Sequence, residues 1–133
     1  MAESTYKPVL VVDDSYAMLA IVRAVLQRLG IEDVVEAHNG VEAVELLHRQ
    51  EYGLVISDWS MEPMTGYELL RHIRADERLK AMHFVMMTVD TNPQKMLAAK
   101  KSGADACIIK PFSVSTLREK IGPFLDKVRN SPL

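Results

Sequence analysis

A chain of 133 residues, 48% hydrophobic and 26% charged, is long enough for one domain with a real core and carries no low-complexity tract. Its formal net charge of −2 offers no basic field for nucleic acid, and its single cysteine, Cys107, excludes an internal disulfide and fits a reducing compartment. The opening "MAESTYKPVL" has no signal-peptide core, and no apolar run reaches the roughly 18 residues of a membrane span, so a cytoplasmic protein without membrane insertion is expected.

Two kinds of segment alternate along the chain. Pro8 to Val12 is a β-branched apolar run that ends in Asp13-Asp14. Met18, Ile21, Val22, Val25 and Leu29 then recur at helical spacing, with Ser15 as N-cap and Gly30 as the stop. Val34-Val35 makes a second strand, and Asn39-Gly40 opens a helix carrying Val44 and Leu47. Leu54 to Ser57 is the third strand, and Thr65 caps a helix with Leu69, Leu70 and Ile73. His83 to Thr88 is the fourth. Asn92-Pro93 starts a helix, since proline suits the first helical position, and Gly103 ends it. Ala106 to Ile109 is the fifth strand, and Ser113 or Ser115 caps a last helix with Leu117, Ile121, Phe124, Leu125 and Val128. Gly122-Pro123 should kink or interrupt that helix, because proline removes a backbone bond and clashes with the preceding turn.

Five strand-then-helix repeats with strands apolar throughout imply a parallel sheet covered on both faces, a doubly wound α/β sandwich. No linker marks a second domain, so residues 1–133 are expected to form a single domain with its core between about 7 and 128 and no output domain.

Parallel strands aim their C-terminal ends at one edge, where such folds bind ligands. Here those ends are Asp13-Asp14, Asp58, Thr88 and Lys110. Any one of these aspartates alone would pass as a cap or turn residue. Together they place three carboxylates, a hydroxyl and an ammonium on one rim, and two carboxylates about 4 Å apart repel by about 4 kcal/mol at an effective dielectric near 20. A hard divalent cation relieves that repulsion, and Mg²⁺ favours carboxylates, waters and a phosphate oxygen. Such a site suits phosphoryl transfer, with a carboxylate attacking while cation and ammonium stabilise the charge. Sharing one metal also requires strands one and three to be neighbours, with strand two outside strand one.

The segments "VVDDS", "VISDWSMEPMTG", "MMTVD" and "IIKPF", in that order and spacing, resemble the receiver domain of response regulators in two-component signalling. The likeness covers roughly residues 7 to 128 and is strongest to single-domain chemotaxis regulators, through "YGLVISDW", "ELLRHIRAD" and "KPFSVSTLREK". It implies a flavodoxin-like (βα)5 fold with strand order 2-1-3-4-5. It implies Asp58 as phosphoacceptor for a histidine kinase or a small phosphodonor. It further implies Mg²⁺ (or Mn²⁺) held by Asp14, Asp58 and the Ser60 carbonyl, with Asp13 reaching it through water. Thr88 would bond one phosphoryl oxygen, Lys110 would pair with another, and Lys110-Pro111 would be cis. Residues Ser60, Val89 and Asp90 would tune the phosphoryl lifetime. The partner downstream would be a phosphorylation-dependent output protein or, for a relay shuttle, a histidine phosphotransfer protein, with the receiver itself a monomer. A Mg²⁺-dependent phosphohydrolase would share the phosphoaspartyl logic, but "SDWS" lacks the second carboxylate of an Asp-x-Asp strand end.

The chain departs from the family pattern in three places. Proline follows the acceptor at Pro63, one residue late, with Glu62 in its usual place. Val89 replaces a small residue after the threonine and is expected to narrow access to Asp58. Cys107 stands at the switch position, where relatives carry an aromatic ring, and is expected to be a small buried hydrophobe. The histidines His38, His48, His72 and His83 show no ligand spacing, so no zinc site is expected.

Overall fold

The computed structural model describes residues 7–125. Strands β1 (Val9–Val12), β2 (Val34–Ala37), β3 (Leu54–Asp58), β4 (His83–Thr88) and β5 (Ala106–Ile109) alternate with helices α1 (Tyr16–Arg28), α2 (Gly40–Arg49), α3 (Gly66–Ala75), α4 (Pro93–Lys101) and α5 (Val114–Ile121). Every strand pair is parallel, and the order is β2-β1-β3-β4-β5.

The helix starts follow the capping residues. Ser15, Asn39, Thr65 and Asn92 each accept a backbone N–H of the first turn, and Thr65 closes a reciprocal capping box with Glu68. At the last helix Ser113, not Ser115, is the cap, accepting from the Thr116 N–H at 3.0 Å. Gly30 and Gly103 leave α1 and α4 at φ of 86° and 107°, the left-handed region that favours glycine. Helix α5 stops at Ile121, and Gly122–Phe124 forms a 3-10 turn, so the glycine-proline pair does interrupt the helical pattern. Val128, assigned to that helix from its spacing, lies outside the described residues.

The three inner strands β1, β3 and β4 bury both faces, the edge strands β2 and β5 only in part, and successive residues divide between two cores. Val9, Val11, Ile56, Val85, Met87 and Ile108 pack against α1 and α5, while Leu10, Val12, Val55, Phe84 and Met86 pack against α2, α3 and α4. This is why the inner strands read as unbroken apolar runs. In α1 one expected core position fails. The buried stripe of α1 is Leu19, Val22, Val25 and Leu26, whereas Ile21 is 50% exposed. It sits about 100° around the helix from Val22, just off the stripe.

With all strands parallel, their carboxyl ends form one edge of the sheet. The helices run the other way, so their own carboxyl ends gather at the opposite, amino edge.

Candidate functional site

The register of the sheet assembles the carboxyl edge. Val12 of β1 pairs with Ser57 of β3, so the next residues, Asp13 and Asp58, stand side by side on neighbouring strands. Asp13 is completely buried and Asp58 nearly so, at 7% exposure, while Asp14 is exposed. One carboxylate oxygen from each of the three lies within 4.8 Å of the others. Lys110 follows β5, held by its N–H donating to the Thr88 carbonyl at 2.8 Å. Its Nζ stands 2.9 Å from Asp58 Oδ1 and 3.3 Å from Asp13 Oδ2. The Lys110-Pro111 bond is cis.

The electrostatics follow from this crowding. Burial pushes the Asp13 carboxyl above its ordinary value and the neighbouring Asp58 charge adds to the rise, while the Ser15 N–H, donating at 2.9 Å, pulls it back. Burial alone would lower Lys110, but the Asp58 and Asp13 carboxylates outweigh it and hold the ammonium above its usual range. One ammonium thus faces three carboxylates, two of them out of water. An all-oxygen donor set with surplus negative charge fits a hard divalent cation.

The loop after β3 wraps this edge. The Trp59 N–H donates to the Met87 carbonyl at 2.9 Å, and the Trp59 carbonyl accepts the Gly66 N–H at 2.8 Å. A Cβ on Gly66 would overlap the Asp58 carbonyl oxygen, so only glycine lets α3 begin this close to the strand end. The displaced proline is accommodated by a cis Glu62-Pro63 bond, with Met61 buried and Glu62 exposed. Ser60 lines one cleft with Asp14, Glu62, Thr65, Trp59 and Lys95.

Sequence reasoning missed the aromatic side of that cleft. Trp59 stacks on Tyr67 at 5.4 Å between centroids and 13° between planes, and Lys95 Nζ lies 5.4 Å from the indole centroid. Tyr67 Oη shares a 2.9 Å hydrogen bond with Ser102 Oγ at the end of α4. Asp90 anchors the lysine, its Oδ2 3.2 Å from Lys95 Nζ and its Oδ1 accepting the Asn92 N–H at 2.8 Å. Trp59 and Tyr67 lie eight residues apart, across a loop whose path sets their meeting.

The remaining expected residues fall as follows. Thr88 is buried at the end of β4, one residue beyond Met87, the register partner of Asp58, and its Oγ1 accepts the Asp90 N–H at 3.0 Å. Val89 is 70% exposed at the rim, so water surrounds most of a side chain expected to crowd Asp58. Cys107 is only half-buried, contrary to expectation, because β5 is an edge strand. It lines a groove with Met96, Leu97, Lys100 and Lys120, and burial pushes its thiol up. Two of the histidines come together in space although their sequence spacing shows no ligand pattern. His48 of α2 and His72 of α3 meet with Asp76 at the amino edge, because the two helices lie side by side there.

The response regulator receiver domain family matches residues 9–122. The chain is 36% identical over 120 residues to the chemotaxis protein CheY of Pseudomonas aeruginosa, covering 90% of this chain and 97% of that one. Its fold superposes on chemotaxis protein CheY4 of Vibrio cholerae with a TM-score of 0.82 at 32% identity, over 90% of this chain and 99% of that one. The receiver domain of sensor histidine kinase PA1611 from Pseudomonas aeruginosa, solved with a magnesium ion coordinated in its active site cleft, shares the fold. That likeness has a TM-score of 0.80 at 23% identity and covers 90% of this chain and 98% of that one. The chain belongs to the response regulator receiver domain family and is CheY-like.

Proposed function

We propose that this receiver accepts one phosphoryl group on Asp58, from the phosphohistidine of a histidine kinase or from a small phosphodonor, and signals through a protein that prefers the phosphorylated form. The observation that carries this reading is the 2.9 Å Asp58–Lys110 pair set within a cluster of surplus carboxylate. Asp14, Asp58 and the Ser60 carbonyl would hold Mg²⁺ (or Mn²⁺), with Asp13 reaching it through water. When bound, the ion neutralises the carboxylates and draws charge off the phosphoryl oxygens.

The protein's own groups then divide the work. A carboxylate oxygen of Asp58 attacks phosphorus, and the new O–P bond forms as the P–N bond to the donor imidazole breaks. The leaving nitrogen keeps the electron pair and takes a proton from solvent. Lys110 would pair with one phosphoryl oxygen and the Thr88 hydroxyl would donate to another, so that charge is met where it develops. Loss of the phosphoryl group is a separate step: water adds to phosphorus and gives up a proton to solvent, the O–P bond to Asp58 breaks with its electron pair left on the carboxylate, and inorganic phosphate is released. Ser60, Val89 and Asp90 flank that route and would set its rate.

Output would leave through the segment from Val89 to Gly103, since Thr88 is its first anchor to the phosphoryl group. The coupling needed is modest, about 1 to 3 kcal/mol. No helix among the described residues is long and apolar enough to cross a membrane, in keeping with a cytoplasmic partner to a kinase. Intact-mass spectrometry after incubation with a small phosphodonor and Mg²⁺ tests the reading. One added phosphoryl group is expected on the wild type and none on Asp58→Asn, whereas a gain that survives the substitution would move the acceptor elsewhere.

A further inference from the structure

We propose that His48, His72 and Asp76 form a binding site for Zn²⁺ or a similar transition-metal ion, bridging α2 and α3 at the amino edge of the sheet. One ring nitrogen from each histidine and one Asp76 oxygen all lie within 4.8 Å of one another. His48 Nε2 stands 3.9 Å from Asp76 Oδ2, and the two imidazoles meet edge to face at 5.9 Å. His72 lies in the last turn of α3 and Asp76, four residues on, is its C-cap. His48 comes from the last turn of α2.

Four observations favour a metal over a simple surface cluster. The first is chemical. Two imidazoles and a carboxylate are the donor types that borderline-soft cations prefer, and three protein ligands leave a fourth position for water. Mg²⁺, which favours oxygen, has no claim on this set, so the site differs in kind from the carboxylate edge.

The second is an unsatisfied atom. His72 Nε2 is the one buried side-chain nitrogen or oxygen among the described residues with no hydrogen-bond partner. Such a group is costly unless something meets it, and an imidazole in need of a partner beside two further metal-type donors is well explained by coordination.

The third is orientation. Asp76 Oδ1 accepts the Arg78 N–H at 2.8 Å, which fixes the carboxylate and leaves Oδ2 toward His48. Ligating carboxylates are commonly held by such an outer hydrogen bond.

The fourth is the field. Both helices end at this edge, α2 at Arg49 and α3 at Ala75, and helix carboxyl ends favour a cation.

Tetrahedral bonds of the usual length place ligand atoms about 3.4 Å apart, so the three donors need to close by about 1 Å. His48 is exposed and Asp76 only partly buried, so side-chain rotation supplies that movement and solvent gives an entry path. The bound ion would clip α2 to α3 at the end of the molecule opposite Asp58, and the inference stands independently of phosphorylation.

The test is a Zn²⁺ titration of the full chain by calorimetry in excess Mg²⁺, paired with the visible spectrum of Co²⁺. We expect one Zn²⁺ per chain, a raised melting temperature, and intensified Co²⁺ bands of a four-coordinate centre. Affinity should fall at least about tenfold in His48→Gln and in Asp76→Asn, by comparison with outer-shell losses of that order. Asp14→Ala and His38→Ala should leave it unchanged. His72→Ala should abolish binding, and because His72 carries a buried ring nitrogen, the His48→Gln and Asp76→Asn variants decide the matter if it fails to fold. No Zn²⁺ binding, binding retained in both His48→Gln and Asp76→Asn, or binding lost in Asp14→Ala would each overturn the proposal.

Discussion

The two edges of the sheet use the same ingredients, carboxylates and a cation at strand ends, and arrive at opposite outcomes. At the amino edge the Arg74 guanidinium donates to the Gly103 carbonyl at 2.7 Å and 3.1 Å, to the Lys80 carbonyl at 3.0 Å, and to the Met82 carbonyl. Its partner Asp105, 3.4 Å away, also accepts the Phe84 N–H at 2.8 Å. Around Arg74, the guanidinium, the three carbonyls and the Asp105 carboxylate are met by one another and by the backbone. At the carboxyl edge one ammonium serves three carboxylates, and a flexible lysine takes the place of the planar fork. The first arrangement clamps α3 to the starts of β4 and β5. The second leaves charge unbalanced, which costs stability and invites a ligand. Satisfaction, not charge itself, separates a structural cluster from a reactive one.

That contrast breaks most visibly at Arg74. In Arg74→Met three carbonyls and the Asp105 carboxylate lose their partner. We expect a loss of about 2 kcal/mol, the cost of leaving several hydrogen-bond acceptors without their charged donor, read as a lower urea midpoint. At the other edge the sign reverses. Asp13→Asn keeps an acceptor for the Ser15 N–H and removes one buried repelling charge, so the metal-free protein should gain about 1 kcal/mol, an ordinary single-substitution effect.

The pH dependence sharpens this second expectation. The folded Asp13 carboxyl is raised above its ordinary value, so in the window between the two values the native state binds more protons than the unfolded one. Stability contributed by Asp13 therefore falls as pH rises through that window. The advantage of Asp13→Asn should be full above the folded value and vanish below the ordinary one, where both side chains are neutral. Urea melts across acidic to neutral pH measure it, and an advantage that grows on acidification would show that repulsion is not the cause.

Much of this was legible in the sequence because it depends on local order. Apolar runs, capping residues and helix-stopping glycines carry their own positions, and parallel strands then carry Asp13, Asp58, Thr88 and Lys110 to one edge. What was hidden depends on side chains from distant elements. The fork of Arg74 reaches carbonyls in two loops, and the Trp59–Tyr67–Lys95 stack needs the loop path through Pro63. The meeting of His48 with His72 depends on how α2 lies against α3, and only the one-turn interval from His72 to Asp76 was visible beforehand. Exposure at Cys107 follows from β5 being an edge strand, which spacing alone does not reveal.

Smaller effects test the rim more finely. Val89→Ala should speed both phosphorylation and loss of phosphate, but only a few-fold, since Val89 is already 70% exposed; mass spectrometry over time reads both rates, and unchanged values would show that it does not line the route. Smallest of all, Cys107→Ala should leave phosphorylation-dependent partner binding nearly intact, whereas Thr88→Ala should uncouple binding from phosphorylation. Binding abolished in Cys107→Ala while Asp58 still accepts phosphate would make the thiol the switch.

The contrast between the edges is tested most directly by amide hydrogen exchange, followed along the whole chain before and after phosphorylation in Mg²⁺. We expect the change to concentrate between Val89 and Gly103, starting beside Thr88, with Arg74 and the Phe84–Asp105 contact keeping their protection. Equal change at both edges, or none from Val89 to Gly103 in protein whose phosphorylation is confirmed by mass, would contradict the assignment of the carboxyl edge as the working one.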